Sequence, residues 1–580
     1  MSLHSADAGL KSRPSVRVTY DEAHGGAVAD TGGGAEMIGR VRLVLGAFLC
    51  VFCLLGVRLA YVSFGMEEEI ALVRAANSSD MRAEVLDREG RPLIMNRDTY
   101  GLGIDGRDVW DVEETVAALT GLFPDIRRDW LTERLADGRY AYLRSDISET
   151  ERAAVVALGL PGMRFPPGRA RVYPQGELAG HVLGYTIPGR GGAVGIEKSL
   201  DGMDEAGSVR LTLDVAVQQV LEDEIGAAIE TFSAKAGWGV LMDARTGDVV
   251  ALASLPDYDP NRPGDSRADA RRNRAVSDAY ELGSAFKPIT VAAAIEKGVV
   301  TQSERFDVSK PITVGRWQIE DYSRKPHPLT VSEVLQYSSN IGTIQIAQRL
   351  GEKSFVETLG MLGLTEPLKT DLPEARQPQL PPQWGEAELA TASYGHGIAV
   401  TPLQLAAAFA AVVNGGTYVT PRFLEDTPVK TRPVFSPETS AALRVALRRV
   451  MTDGTGRNAE AHGYHAIGKT ATADKPGGGG YNERKLISSF VGAFPGYDPQ
   501  YVLLVSLDEP QGIAKTYGFA TAGYTAAPIF RRVVERAAPT LGLMPVGDAV
   551  ALDGFIGLQR GAGEPQDLDA MARLLTEAAL

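Results

Sequence analysis

Cysteine is nearly absent: the 580 residues hold two, Cys50 and Cys53, and none follows them. A disulfide framework and a thiolate metal centre are therefore excluded from everything after residue 53. Histidine is sparse as well. The 7 imidazoles are scattered, and the one close pair, His462 and His465, lacks a patterned carboxylate or third histidine, so no zinc motif is present and no cofactor or metal site is expected. Basic excess is missing too: 59 Lys and Arg stand against 73 Asp and Glu, for a formal charge of −14. A phosphate backbone needs a basic surface, which argues against a nucleic-acid partner. No internal repeat interrupts the chain.

What the sequence does have is one long apolar run and the makings of large cores. With 44% hydrophobic and 23% charged residues, the chain has material for several domains. The run Leu43 to Phe64 is almost wholly apolar, and as a helix it reaches about 33 Å, enough to cross a bilayer core. A cleaved signal peptide or a buried core helix are the alternatives. The run lacks a small-x-small cleavage site and exceeds a signal core, so it is read as one uncleaved transmembrane helix over 43–64. Arg40 and Arg42 before it, with Lys11, Arg13 and Arg17 further back, place the N-terminus in the cytoplasm and the rest outside. Arg58 is then expected to snorkel to the outer interface.

Residues 1–42 read as a disordered cytoplasmic tail, rich in Gly, Ala, Ser and charge. Residues 65–205 mix short apolar runs with turn signals and read as an irregular α+β pedestal. From 206 to 543 a second pattern takes over. Asp214 is a plausible N-cap for a long amphipathic helix, VAVQQVLEDEIGAAIETF. Two hairpins flank a helical middle, GWGVLMD with DVVALAS and ISSFVGAFP with YVLLVSLD, and a last helix covers roughly Tyr524 to Ala537. Helices enclosed between terminal strands imply an antiparallel sheet covered by helices, an α+β fold. Residues 544–580 read as a C-terminal tail.

Three short constellations carry the chemistry. Ser284 and Lys287, in Ser284-Ala285-Phe286-Lys287, share a helix face, and a lysine whose pKa is lowered by burial or nearby charge can serve as base to a serine nucleophile. Alone the tetrad equally suits a helix start with a solvated lysine. Ser338-Ser339-Asn340 follows in what reads as a loop between helices, and Lys469-Thr470-Ala471-Thr472 in a strand. Together they supply a nucleophile, a proton relay, an amide holder and a cation with hydroxyls for a carboxylate, the parts of an acyl-transfer site.

This set resembles the penicillin-binding proteins. The likeness continues through RAEVLDREGRPL from Arg82, RVYPQGELAGHVLGY from Arg171, GIEKSLD from Gly195, ALASLPDYDPN from Ala251 and YGHGIAVTPLQLA from Tyr394, which look like a class B enzyme from the anchor to about residue 540. Asn340 in the second motif and NRAVSDAYELGS before the nucleophile are most similar to the division-specific transpeptidases. The resemblance implies a serine β-lactamase-like transpeptidase domain on a class B dimerisation-type pedestal, acting on peptidoglycan stem peptides that end in D-Ala-D-Ala. It implies that Ser284 attacks the penultimate carbonyl with Lys287 as base. Ser338 and Asn340 would relay the proton and orient the peptide. Lys469, Thr470 and Thr472 would bind the terminal carboxylate, and the N–H groups of Ser284 and Thr472 would form the oxyanion hole. β-Lactams would trap Ser284. An FtsW-type glycosyltransferase and other division proteins are the implied partners, at the septum of the inner membrane, and the enzyme would be monofunctional.

One residue departs from the family: Ala471 stands where glycine is usual, adding a methyl group beside the strand edge that receives substrate, but alanine is the smallest replacement and Thr472 is retained, so activity is expected to survive with an altered β-lactam preference. Alternatives stay open: an elongation-type transpeptidase, a D,D-carboxypeptidase or β-lactamase-like hydrolase, and an inactive β-lactam-binding scaffold. Gly477 to Gly480 reads either as a lid or as a plain loop tip.

Overall fold

The computed structural model describes residues 42–58, 82–187, 190–203, 207–477 and 480–561, without side chains for 476–484 and 561. The chain divides into two units, Met1–Leu72 and Val73–Leu580. In the first, residues 42–58 form a helix exposed on all sides, with Leu43, Phe48 and Phe52 among its uncovered apolar residues. Among the described residues no helix is long and apolar enough to cross a membrane. The expected tail and the end of the expected anchor, residues 59–64, lie outside the described residues.

The pedestal is more regular than its sequence suggests. Its long strand Pro92–Asp105 pairs with Tyr140–Ile147 on one side and Glu84–Leu86 on the other. Glu84–Leu86 in turn pairs in parallel with Ser208–Arg210, so the sheet takes in the strand that leads to the second domain. Helices Val112–Leu122, Arg128–Ala136 and Glu149–Ala157 cover it. Each of these elements contributes to a small core around Leu102, Ile104, Leu119, Leu131 and Val155.

The second domain is built on a five-stranded antiparallel sheet. In spatial order its strands are Val249–Leu255, Ala236–Asp243, Tyr501–Asp508, Gly480–Phe494 and Ile467–Gly477. Alternation along each strand feeds two cores. Trp238, Val240, Met242, Val502 and Leu504 face one core, while Leu241, Leu503, Val505 and Phe490 face the other. On the second face lies the helix Val215–Phe232, with Asp214 at its N-cap accepting from the N–H groups of Ala216 and Val217. Leu221 and Ile225 of this helix sit so close to Gly239 that a side chain there would strike them. The helix Ala526–Ala537 completes that layer.

Against the first face pack the helices that position the chemistry: Lys287–Glu296, Val331–Gln336, Asn340–Leu350 and Pro437–Thr452. In their midst Pro402–Val413 is buried on every side, as its uninterrupted apolar sequence requires. The strand Ile467–Gly477 is the sheet's edge, so alternate N–H groups point away from the ladder. One expectation is corrected here. Residues 548–561 are helical, and Ala551 and Phe555, one turn apart, are fully buried, with the Phe555 ring edge-on to Tyr497 at 6.1 Å. This stretch is part of the domain and not a loose tail.

Candidate active site

Ser284 sits in a short 3-10 turn, Gly283–Phe286, that runs straight into the helix Lys287–Glu296 with Pro288 in its first turn. Two glycines make the turn possible. Gly283, at φ +50°, lies on the edge strand with Thr472 O and Ala473 Cβ 3.4 Å from where a Cβ would stand. Gly395, at φ +84°, presses against Gly283 so tightly that any side chain would strike its carbonyl. Ser284 is half-buried, and no hydrogen bond of its hydroxyl is recorded among the described residues.

Lys287 is completely buried, which rules out the solvated-lysine reading of the tetrad. Its Nζ donates to Ser338 O at 2.5 Å and to Asn340 Oδ1 at 2.7 Å, and lies 3.2 Å from Ser338 Oγ. Lys469, equally buried, donates to the same Ser338 Oγ at 2.9 Å and to Thr470 O at 3.0 Å. Ser338 Oγ thus bridges two amines. Burial, and then the charge of Lys469, pushes Lys287 well below the ordinary lysine range, while Asp321 opposes the shift. Burial lowers Lys469 to about 7. An amine, a hydroxyl and a second amine in line can pass a proton without a charge entering solvent.

Ser338 adopts φ +60°, a costly conformation for a residue with a side chain. It is held there because the helix Val331–Gln336 ends just before it and Asn340–Leu350 begins just after. Asp321 braces that second helix: its carboxylate accepts from Ser339 Oγ at 2.5 Å, Asn340 N at 2.6 Å and Ile341 N at 3.1 Å. On the edge strand the threonine hydroxyls are also engaged. Thr470 Oγ1 lies 2.6 Å from Thr455 Oγ1, and Thr472 Oγ1 accepts from Ala522 N at 3.1 Å, leaving its own proton to donate. His396 follows Gly395; burial and then Lys287 lower its imidazole to about 4, so it is neutral at physiological pH.

Of the residues singled out from sequence, Lys287, Ser338, Asn340 and Lys469 meet in one hydrogen-bonded cluster. Ser284 stands beside it, its carbonyl accepting from Lys287 N, while among the described residues no hydrogen bond joins its hydroxyl to the cluster, and Thr470 and Thr472 lie on the strand beside the Ser284 turn. Asp321, Thr455 and His396 escaped sequence reading. Only His396 carried a signal, its place in the YGHG stretch.

The chain matches the penicillin binding protein transpeptidase domain over residues 237–535 and the penicillin-binding protein dimerisation domain over 78–205. It is 37% identical over 530 residues to a probable peptidoglycan D,D-transpeptidase FtsI of Caulobacter vibrioides, covering 87% of this chain and 89% of that protein. The chain belongs to the class B penicillin-binding proteins. The peptidoglycan D,D-transpeptidase FtsI of Escherichia coli is 29% identical over 552 residues, covering 87% of this chain and 92% of that one. Among solved structures, penicillin binding protein 3 of Mycobacterium tuberculosis complexed with aztreonam superposes with a TM-score of 0.63 at 25% identity, covering 80% of this chain and 97% of that one. This class B penicillin-binding protein is a serine-type peptidoglycan D,D-transpeptidase of the FtsI type, with the α+β transpeptidase fold behind a pedestal domain.

Proposed function

We propose that this penicillin-binding protein cross-links peptidoglycan at the division septum through an acyl-enzyme on Ser284. Lys287, whose buried amine holds its proton less tightly than an ordinary lysine, takes the Ser284 proton as the hydroxyl oxygen attacks the penultimate D-Ala carbonyl of a stem peptide. Ser338 passes a proton to the departing D-Ala amine, and Asn340 holds the peptide amide. Lys469 and the hydroxyls of Thr470 and Thr472 receive the terminal carboxylate, while the N–H groups of Ser284 and Thr472 take the oxyanion. An amine from a neighbouring stem then attacks the ester, loses its proton to Lys287, and restores the Ser284 hydroxyl. β-Lactams, which imitate the D-Ala-D-Ala end, acylate the same serine. The observation that carries this reading is Ser338 Oγ standing 2.9 Å from Lys469 Nζ and 3.2 Å from Lys287 Nζ, a proton path between two buried amines.

The septal role rests on the likeness to FtsI proteins, and the apolar run 43–64 supports a single anchor in the inner membrane with the catalytic domain outside. An FtsW-type glycosyltransferase and other division proteins are the partners this role calls for. Labelling with a fluorescent penicillin tests the chemistry: wild type takes a covalent label and Ser284→Ala takes none, whereas label persisting in the variant sinks the assignment. Depletion in cells tests the place of action. Filaments with blocked septa are expected, and rounded cells would reassign the enzyme to elongation.

A further inference from the structure

Beside the site stands a small hairpin, Ile312–Val314 paired with Trp317–Ile319, joined by a two-residue turn with Gly315 at φ +58°. Its inner face is fixed: Val314 is buried with Ile344 and Tyr394, and Ile312 and Ile319 pack against them. Its outer face is not used by the fold. Trp317 is 60% exposed and Tyr322, just beyond the hairpin, is 90% exposed. The Arg316 guanidinium lies 5.0 Å over the Trp317 ring, and Arg324 is exposed beside Tyr322 in sequence. Lys325 closes the series with its ammonium 4.1 Å over the ring of Tyr337, the residue before Ser338. Asp321 ties the segment to the Asn340 helix, and Asn340 Nδ2 donates to Glu320 O at 3.4 Å.

Two uncovered aromatic rings, Trp317 with a guanidinium over it and Tyr322, are set among three cations on a hairpin anchored to the core, in a chain of net charge −14. We infer that this hairpin and the loop to Lys325 form a docking platform for the acidic glycopeptide strand beyond the peptide end that enters the site. Sugar rings have apolar faces that lie flat on Trp and Tyr, and free stem-peptide carboxylates complement Arg316, Arg324 and Lys325. The platform continues from Asn340, the residue that holds the substrate amide, so a strand leaving the site on that side runs onto it. The inference rests on the transpeptidase reading above, and it extends recognition from the peptide terminus to the polymer.

The test uses the full chain in detergent with two double variants, Trp317→Ala with Tyr322→Ala, and Arg316→Glu with Arg324→Glu. Three rates are measured: acylation by a fluorescent penicillin, cross-linking of un-cross-linked glycan strands, and exchange of a free D-amino acid into those strands. Penicillin acylation stays within about twofold of wild type in both variants, which also reports that each is folded, while strand cross-linking falls by about tenfold or more. D-amino-acid exchange is expected to fall with cross-linking, because the platform holds the donor strand; exchange at the wild-type rate would move the contact to the acceptor strand and overturn the placement. Strand cross-linking at the wild-type rate in either folded variant overturns the platform, as does an equal loss of penicillin acylation in both, which would make the segment part of the acylation site. A wild-type enzyme that neither labels nor cross-links would instead refute the transpeptidase reading.

Discussion

Asp321 reaches the Asn340 helix from a loop with no motif of its own, and its charge does two things there. It satisfies three donors at the start of the helix, and it draws the Lys287 pKa upward against the pull of burial. Asp321→Asn keeps an acceptor but removes the charge, so Lys287 loses its proton more readily. The acid limb of the pH profile for penicillin acylation is expected to move to lower pH, with about 1 kcal/mol lost from stability. A purely structural role would lower stability and leave the limb in place. Ala471 is a second residue-scale case. It is 2% exposed, belongs to the core with Ile467 and Val491, and keeps its register opposite Ser489, so its methyl group fills space inside the domain without breaking the ladder. Ala471→Gly is therefore expected to destabilise the domain by about 1 to 2 kcal/mol, from lost burial and added chain entropy, read in a denaturant titration. Lys287 and Ser338 were legible because each motif is local in the chain and marked by residue type. Asp321 and Thr455 were not, since their value lies in contacts that only the fold creates, 18 residues away to Ser339 and 15 to Thr470.

At the scale of elements, the strands Ile467–Gly477 and Gly480–Phe494 stay paired out to Gly477 and Gly480, whereas the neighbouring strand Tyr501–Asp508 pairs only from Ile487 onward. Residues 475–477 and 480–482 are thus paired with each other beyond the reach of the Tyr501–Asp508 strand, and Gly478 and Gly479 lie outside the described residues. The root of this paired extension is fastened where the ladder shifts register between Asp474 and Lys475. Lys475 Nζ donates to Asp508 Oδ1 at 2.7 Å and Glu509 Oε1 at 3.1 Å, and Lys235 holds Glu509 from the other side at 2.7 Å. Lys475→Met frees this root and leaves Asp508 without that partner. The expected result is a loss of about 1 kcal/mol and faster hydrogen exchange across residues 475–486, with the central strands unchanged. The hairpins and the long helix were readable from alternation and from the Asp214 cap. The order of the strands was not, because it depends on the distant Tyr501–Asp508 pairing with Ala236–Asp243.

The whole molecule joins pedestal and catalytic domain through buried charge. Glu197, with no exposed surface, takes Arg82 at 2.9 Å, Arg171 at 2.9 Å and the Tyr173 hydroxyl at 3.0 Å, so the pedestal segments close on one carboxylate. A second carboxylate spans the two domains. Glu222, on the helix Val215–Phe232, accepts from Ala179 N of the pedestal at 3.0 Å and from Gln218 Nε2 at 2.7 Å, while Gln218 Oε1 accepts from Leu252 N at 2.8 Å. Burial, with smaller contributions from Asp257 and Asp223, raises Glu222 to about 7. Between its ordinary 4.5 and about 7 the folded chain binds a proton that the unfolded chain has released, so this group's contribution to stability declines as pH rises through that window. Above it the two domains meet around a half-buried anion. Glu222→Gln keeps the acceptor for Ala179 and never ionises. Its stability relative to wild type is therefore expected to improve from pH 5 to pH 8, measured by thermal unfolding at each pH. An unchanged difference across that range would mean that Glu222 stays charged throughout, and that the contact between the domains does not respond to protons.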